Sequence, residues 1–360
     1  MTRKDRTEGI YNRREVLDES ERRQYCLIQL KDLLSYAYRY SEDVKKRFDR
    51  AQFNVEKFKT LSDIPLLKKK ELIFLQSIGP RLGGLLTKDI GELKRIFLSP
   101  GPIFDPEDRM DDYWGYTEAF YSVGFRPGDV VQVTFNYHLS PAGLMFEEPL
   151  RNLGCASIPA GPTDPGTQLD IMQKLRVSGY VGTASYLMHL AQKAEEKGIN
   201  LRKDLFQEVA FVTGERLSEK MRNQLEKKFD IILRQGYGTA DVGCIGYECF
   251  HKTGLHISNR CYVEICHPDT GIPLKDGEVG EIVVTSFNKT YPLIRLATGD
   301  LSYIDRAPCA CGRTSPRLGS IVGRVDTTAR IKGMFVYPHQ VEQVMARFED
   351  IKRWQIEVIN

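Results

Sequence analysis

The sequence predicts an α/β fold: mostly parallel sheets with flanking helices, then a small antiparallel, barrel-like section, then only the start of a further unit. Three observations predict it. Helix-like and strand-like segments alternate between residues 111 and 234. After Cys249 the strands shorten and are separated by Pro, Gly and Asp turns such as Pro268-Asp269-Thr270-Gly271. In the last third, five short segments follow one another: Gly236-Tyr237-Gly238-Thr239-Ala240-Asp241, Cys249 with His256, Ile294-Arg295-Leu296-Ala297-Thr298-Gly299-Asp300, Cys309-Ala310-Cys311-Gly312-Arg313, and Gly323-Arg324-Val325-Asp326. Two of them end in an acidic residue suited to a ribose or a metal, and two supply soft metal ligands. Together they point to a nucleotide site with a structural metal beside it, and so to an enzyme.

Taken in order, residues 8–50 are charged and helix-like, with Leu27, Leu30, Leu33, Leu34 and Tyr38 at helical spacing. Residues 60–70 form a Pro-containing connector, 71–76 a short helix, and 95–98 a strand running into Ser99-Pro100-Gly101-Pro102. Helices are then predicted at 111–123, 142–153, 168–175, 186–197 and 218–229. The strands between them fall at 130–135, 156–159, 180–183, 208–213 and 231–234, with a turn at Gly128-Asp129. Helices of this length between strands are crossover units, and ligands bind beyond the carboxyl ends of such strands. Thr213-Gly214-Glu215 and Gln235-Gly236-Tyr237-Gly238 fall there. Short strands follow at 262–266, 281–286, 301–304 and 331–336, and a helix at 338–348 opens a unit that the chain, ending at Asn360, is too short to complete.

At 360 residues the chain exceeds the size at which one core stops growing, so two or more subdomains are expected. An apolar fraction of 41% and a charged fraction of 28% are ordinary for a globular protein. The net charge is +3 with the basic residues scattered, which argues against nucleic acid as a partner. No apolar run approaches the ~20 residues of a membrane span. The start, Met1-Thr2-Arg3-Lys4-Asp5, lacks the apolar core of a signal peptide, so a cytoplasmic protein is expected.

Eight cysteines in a chain of this length do not make a disulfide framework. In a reducing compartment Cys309 and Cys311 read as a metal clip, whereas Cys26, Cys155, Cys244, Cys261 and Cys266 lie in apolar or strand-like surroundings and read as small buried hydrophobes.

At these motifs the chain resembles the phenylacetate–CoA ligase family of the adenylate-forming (AMP-binding) superfamily. Leu61-Ser62-Asp63-Ile64-Pro65, Gly124-Phe125-Arg126-Pro127-Gly128-Asp129 and the run 309–336 are similar to that family's own segments. The resemblance covers essentially the whole chain. It implies a large AMP-binding domain at 1–323, with a zinc-bearing β section at about 245–322, and at 324–360 the hinge and beginning of an incomplete lid. It implies an AMP-forming ligase that activates an aryl carboxylate with ATP through an acyl-adenylate and passes the acyl group to CoA. Homodimers are common in the family, and the sequence leaves the oligomeric state open.

The resemblance also assigns residues. Asp241, where the family usually has Glu, would hold Mg²⁺, since a carboxylate and a triphosphate must meet near a hard cation. Tyr237 would stack on adenine within Gly236, Gly238 and Thr239, and Thr213, Gly214, Glu215 and Arg216 would line its edge. Asp300 would accept both ribose hydroxyls, and Arg324 would donate from the hinge side. Cys249, His256, Cys309 and Cys311 make a closed structural zinc set, with His251 a rival for the histidine. Tyr137, His138, Ala142 and Gly143 lie where the family builds its acid pocket; a core Tyr and a surface His is the plainer alternative.

The chain departs from the family in two places. Its phosphate loop would be Ser99-Pro100-Gly101-Pro102-Ile103-Phe104-Asp105-Pro106, with three prolines that lack N–H donors and no following lysine, and Ala240 replaces the usual Thr. The lid is also short. A catalytically weak adenylate-binding homologue is therefore the alternative.

Overall fold

The computed structural model describes residues 5–7, 9–327, 329–331, 334–336, 344, 345 and 348. The long N-terminal helix Glu19–Tyr40 starts at a capping box in which Asp18 and Glu21 satisfy each other's backbone N–H groups. It buries Leu30, Leu33, Leu34 and Ala37, while Leu27 and Tyr38 fall at its exposed margin. The buried stripe packs with Leu61, Ile64 and Leu67 and with Leu293, Ile294 and Leu296 from the far end of the chain. The short helix foreseen at 71–76 spans Lys69–Ile78.

One sheet of nine strands dominates. Its order is Ile304–Asp305, Arg317–Leu318, Leu255–Ile257, Gly243–Glu248, Ile232–Thr239, Val209–Val212, Gly179–Gly182, Val130–Val133, Ala156–Pro159. The pairs from Ile232–Thr239 to Ala156–Pro159 are parallel, and those in the other direction are antiparallel. Alternation along the parallel strands sorts side chains to two faces. Val131, Val133, Val181, Val209 and Phe211 meet helices Thr117–Val123 and Ala142–Asn152. Tyr180, Ala210, Val212 and Leu233 meet Pro165–Lys174, Ala184–Glu196 and Glu219–Phe229 on the other. Being covered twice, Gly179–Gly182 and Val209–Val212 are buried at every position.

Several elements differ from the sequence reading, each for a local reason. The helix expected at 111–123 is confined to Thr117–Val123. Asp112 takes φ +49° and its carboxylate accepts from the N–H groups of Tyr116 and Thr117 at 2.9 and 3.2 Å, forming a turn instead of a helix start. The strand expected to end at Arg234 continues to Thr239. The expected phosphate loop is a hairpin: Arg95–Ser99 pairs antiparallel with Ile103–Glu107 around Pro100-Gly101-Pro102. The antiparallel section is divided, one part extending the large sheet and one forming a second sheet from Cys261–Cys266, Gly280–Ser286 and Leu296–Ser302. Leu67–Lys68 and Gly323–Arg324 add to Leu296–Ser302. The strand expected at 331–336 is two short ones, Ala329–Ile331 and Met334–Val336. The helix expected at 338–348 lies mostly outside the described residues. Among the described residues no helix is long and apolar enough to cross a membrane.

Where the sheet changes direction, Arg222 and Glu248 form a buried two-bond ion pair at 2.8 and 2.7 Å. Glu248 also accepts from the backbone N–H and side-chain amide of Gln235. Glu248→Ala leaves a guanidinium buried without its carboxylate and should cost about 3–5 kcal/mol of stability. Urea unfolding measures it, and a loss below about 1 kcal/mol would contradict a structural role for the pair.

Candidate functional site

The strand Ile232–Thr239 carries the first part of the site. A Cβ at Gly236 would run into the ring of Phe211, and one at Gly238 into the Tyr116 hydroxyl and the Gly243 carbonyl, so both glycines are required by close approach. Between them Tyr237 donates its hydroxyl to Asp300 Oδ2 at 2.8 Å. Burial first, and then the Asp300 charge, push that phenol well above its usual pKa. Asp300 stands in register opposite Arg324, whose Nη1 reaches Asp300 Oδ1 at 3.0 Å. Three predicted residues, far apart in the chain, thus form one hydrogen-bonded row.

Thr213 to Arg216 follow the carboxyl end of Val209–Val212. The Thr213 hydroxyl donates to the Gly236 carbonyl at 2.9 Å, and Gly214 takes φ +84°. Glu215 accepts from the N–H and hydroxyl of Ser185 at 2.6 and 2.8 Å, fastening this loop to the start of helix Ala184–Glu196. Beside the loop, a cavity of about 470 Å³ is lined by Thr134, Phe135, Pro162, Thr183, Ser185, Tyr186 and His189. His189 was not foreseen; nothing in its helical surroundings marks it out. A separate cavity of about 540 Å³ lies away from this chemistry, between helix Glu19–Tyr40 and strands Leu255–Ile257 and Cys261–Cys266.

Asp241 is buried and accepts from the Thr239 hydroxyl. Its other oxygen faces Lys69 Nζ at 3.2 Å, without hydrogen-bond alignment. A lysine is thus present after all, supplied by the first turn of helix Lys69–Ile78 and not by the loop where the family carries one. Beside this pair, and equally unforeseen, stands Asp105 on the inward face of the hairpin. It is fully buried, and neither carboxylate oxygen has a well-formed hydrogen bond. Burial first, and then the charge of Asp241, push its carboxyl up to about 7, partly opposed by the Ser99 hydroxyl and Lys69. Its strand buries Ile103, Asp105, Pro106 and Glu107 and exposes Phe104, so apolar alternation in the sequence does not mark Asp105.

In the acid-pocket segment the ring of Tyr137 lies over Gly143, whose Cβ, if present, would sit 2.6 Å from it. Burial, followed by Glu147, raises the Tyr137 phenol. Ala142 is half-buried at the start of its helix, and His138 is exposed in the loop before it.

The ligand atoms of Cys249, His256, Cys309 and Cys311 all lie within 4.8 Å of one another. His251 is outside this group and packs edge-on against Phe250. The Cys249 and Cys309 sulfurs are 3.6 Å apart, and Cys311 Sγ is 3.4 Å from His256 Nε2. Tetrahedral zinc, with bonds of about 2.3 Å to sulfur and about 2.0–2.1 Å to nitrogen, calls for edges of roughly 3.5–3.8 Å. The donor set therefore fits. His256 Nδ1 meets the Ser315 hydroxyl at 3.3 Å, which orients the ring. A hydrogen bond from Cys249 draws the Cys311 thiol far down, and the same bond raises Cys249.

Comparison with known proteins bears on this arrangement. A family model described as AMP-binding enzyme matches residues 114–289. A phenylacetate–coenzyme A ligase from Thermus thermophilus is 29% identical over 348 residues, covering 92% of this chain and 76% of that protein. One from Escherichia coli is 27% identical over 352 residues, covering 92% and 77%. Among solved structures, an open form of 2-hydroxyisobutyryl-CoA ligase in complex with 2-HIB-AMP and CoA superimposes with a TM-score of 0.86 at 24% identity, covering 94% of this chain and 83% of that one. Residues 114–289 thus match the AMP-binding enzyme model, and over most of its length the chain is similar to the phenylacetate–coenzyme A ligases.

Proposed function

We propose that this chain is an AMP-forming acid–coenzyme A ligase for an aryl, phenylacetate-like carboxylate, with residues 324–360 as the hinge and beginning of its lid. The observation that carries the reading is the row Tyr237–Asp300–Arg324 at the carboxyl edge of the sheet, where a nucleoside meets an aromatic face and a carboxylate. Asp300 accepts from the ribose hydroxyls, and Arg324 and Tyr237 hold its carboxylate in place. Thr213 to Arg216 border the adenine. Tyr137, packed on Gly143, supplies an apolar wall for an aryl ring. Lys69 offers positive charge to the reacting carboxylate and phosphate. Mg²⁺, when bound at Asp241, would neutralise phosphate charge. Cys249, His256, Cys309 and Cys311 would hold a structural Zn²⁺ that ties the loop after Gly243–Glu248 to the 309–311 turn.

The hairpin favours a second reading, a weak adenylate-binding homologue. Two of its three turn residues are prolines, so the amide cradle for the outer phosphates is missing. Donors of that kind typically contribute several kcal/mol to the transition state. Substrate-dependent ATP–pyrophosphate exchange with a panel of aryl acids separates the two readings. Acid-dependent exchange, slower than that of the longer relatives and alongside intact AMP binding, is the expected result; AMP binding without acid-dependent exchange would favour the second reading.

Asp300→Ala should weaken AMP binding by about 1.5–3 kcal/mol, roughly ten- to 150-fold, because it removes a charged acceptor from the ribose. Calorimetry with AMP tests this, and an unchanged affinity would remove Asp300 from the ribose contact. Elemental analysis should find one zinc per chain. Cys309→Ser should lose it and lower thermal stability while leaving AMP affinity within about twofold, since a closed four-ligand site holds loops together and takes no part in chemistry.

A further inference from the structure

The pair Asp105 and Asp241 poses a charge problem that the assigned contacts leave open. Both carboxylates are buried, the charge of Asp241 acts on Asp105, and a single lysine, 3.2 Å from Asp241, lies near both. Asp241 has the Thr239 hydroxyl and Lys69 as partners. Asp105 has nothing comparable: at zero exposure both its oxygens lack a well-formed hydrogen bond. A buried carboxylate in that condition costs several kcal/mol unless a cation or a proton compensates it. The strand that carries it is the returning arm of the hairpin standing where a phosphate loop is expected. The loop's lost N–H donors and the new acidic side chain therefore occur on one short segment.

The geometry points to Asp105 as a second carboxylate ligand, with Asp241, for one divalent cation of the Mg²⁺ class that carries the nucleotide phosphates in place of the missing amide cradle. Mg²⁺ is commonly held by one or two carboxylates plus substrate phosphates and waters, so two protein ligands suffice. The cation satisfies the orphaned oxygens and supplies the positive charge that the proline-flanked turn cannot. Lys69, with its side chain one-third exposed, remains at the rim as a monovalent partner of Asp241. The inference rests on the ligase reading for the identity of the bound phosphates but not for the cation itself.

The test uses the full chain, first saturated with Zn²⁺ to occupy the thiolates, and Mn²⁺ as a paramagnetic stand-in for Mg²⁺, with binding followed by electron paramagnetic resonance. Wild type should bind one Mn²⁺ and gain thermal stability from it by mass action. Asp105→Asn and Asp241→Asn should each weaken binding about tenfold or more, the least that loss of a direct ligand should cost when loss of a ligand's own hydrogen-bond partner costs about 10–100-fold. Asp105→Asn keeps the shape and removes a buried charge, so its metal-free thermal midpoint should equal or exceed that of wild type. AMP lacks the outer phosphates, so AMP calorimetry reads the nucleotide site independently. Mn²⁺ affinity unchanged in a folded Asp105→Asn would overturn the inference and leave the ligase reading standing. Failure of wild type to bind AMP, with Mn²⁺ bound through Asp105, would do the reverse.

Discussion

The molecule turns on one strand. Ile232–Thr239 pairs parallel through Ile232, Leu233, Arg234 and Gln235 with Val209–Val212, and antiparallel through its remaining half with Gly243–Glu248. A single backbone thus serves two ladders of different geometry, and the register slips between Tyr237 and Gly238 as it passes from the Gly246 partner to the Cys244 partner. The glycines at 236 and 238 permit the close approach, and the Arg222–Glu248 pair clamps the helix behind to the strand beside it. Tyr237 lies at this junction, so the residue that donates to Asp300 is held by the part of the sheet where the two ladders meet.

The rest of the site is built by bringing distant segments to that junction. Leu67–Lys68 pairs with Leu296–Ser302, which carries Asp300. The same pairing sets Lys69 in the first turn of the next helix, facing Asp241. The second sheet and the N-terminal helix share one apolar cluster, so positions more than 200 residues apart are held by common packing. Buried ion pairs fasten other long-range joints: Arg6 to Asp129, Arg313 to Glu15 and Arg295 to Glu264. Each pairs an arginine with a carboxylate in a setting where an isolated charge would be costly, so the fold tolerates their removal poorly even where the net gain is small.

The acidic pair and the thiolate cluster illustrate two ways of managing buried charge. In the cluster, the donor spacing suits a soft cation, and the imidazole is oriented by a hydroxyl. At the hairpin, Asp105 is buried under the influence of the Asp241 charge, its oxygens lack hydrogen-bond partners, and the one lysine pairs with Asp241. The first is a closed arrangement that joins loops; the second opens on a rim where Lys69 is partly exposed.

By itself, the sequence determined the alternation of helices and strands, because periods of 3.6 and 2 are properties of local side-chain spacing. Through its resemblance to a known family it also pointed to Cys249, His256, Cys309 and Cys311, with His251 as a rival, and to Tyr237, Asp300 and Arg324; the structure brings each set together. Only the tertiary structure decided where the parallel sheet turns antiparallel, since the extended segment 232–239 suits either pairing and the partner comes from elsewhere. It alone turned Ser99 to Pro106 into part of a hairpin, where long-range contacts such as Gln76 to Phe104 and Leu98 to Leu139 settle the conformation. And it alone placed Lys69 and Asp105 beside Asp241: charges separated by more than a hundred residues interact only once packing has excluded the water between them.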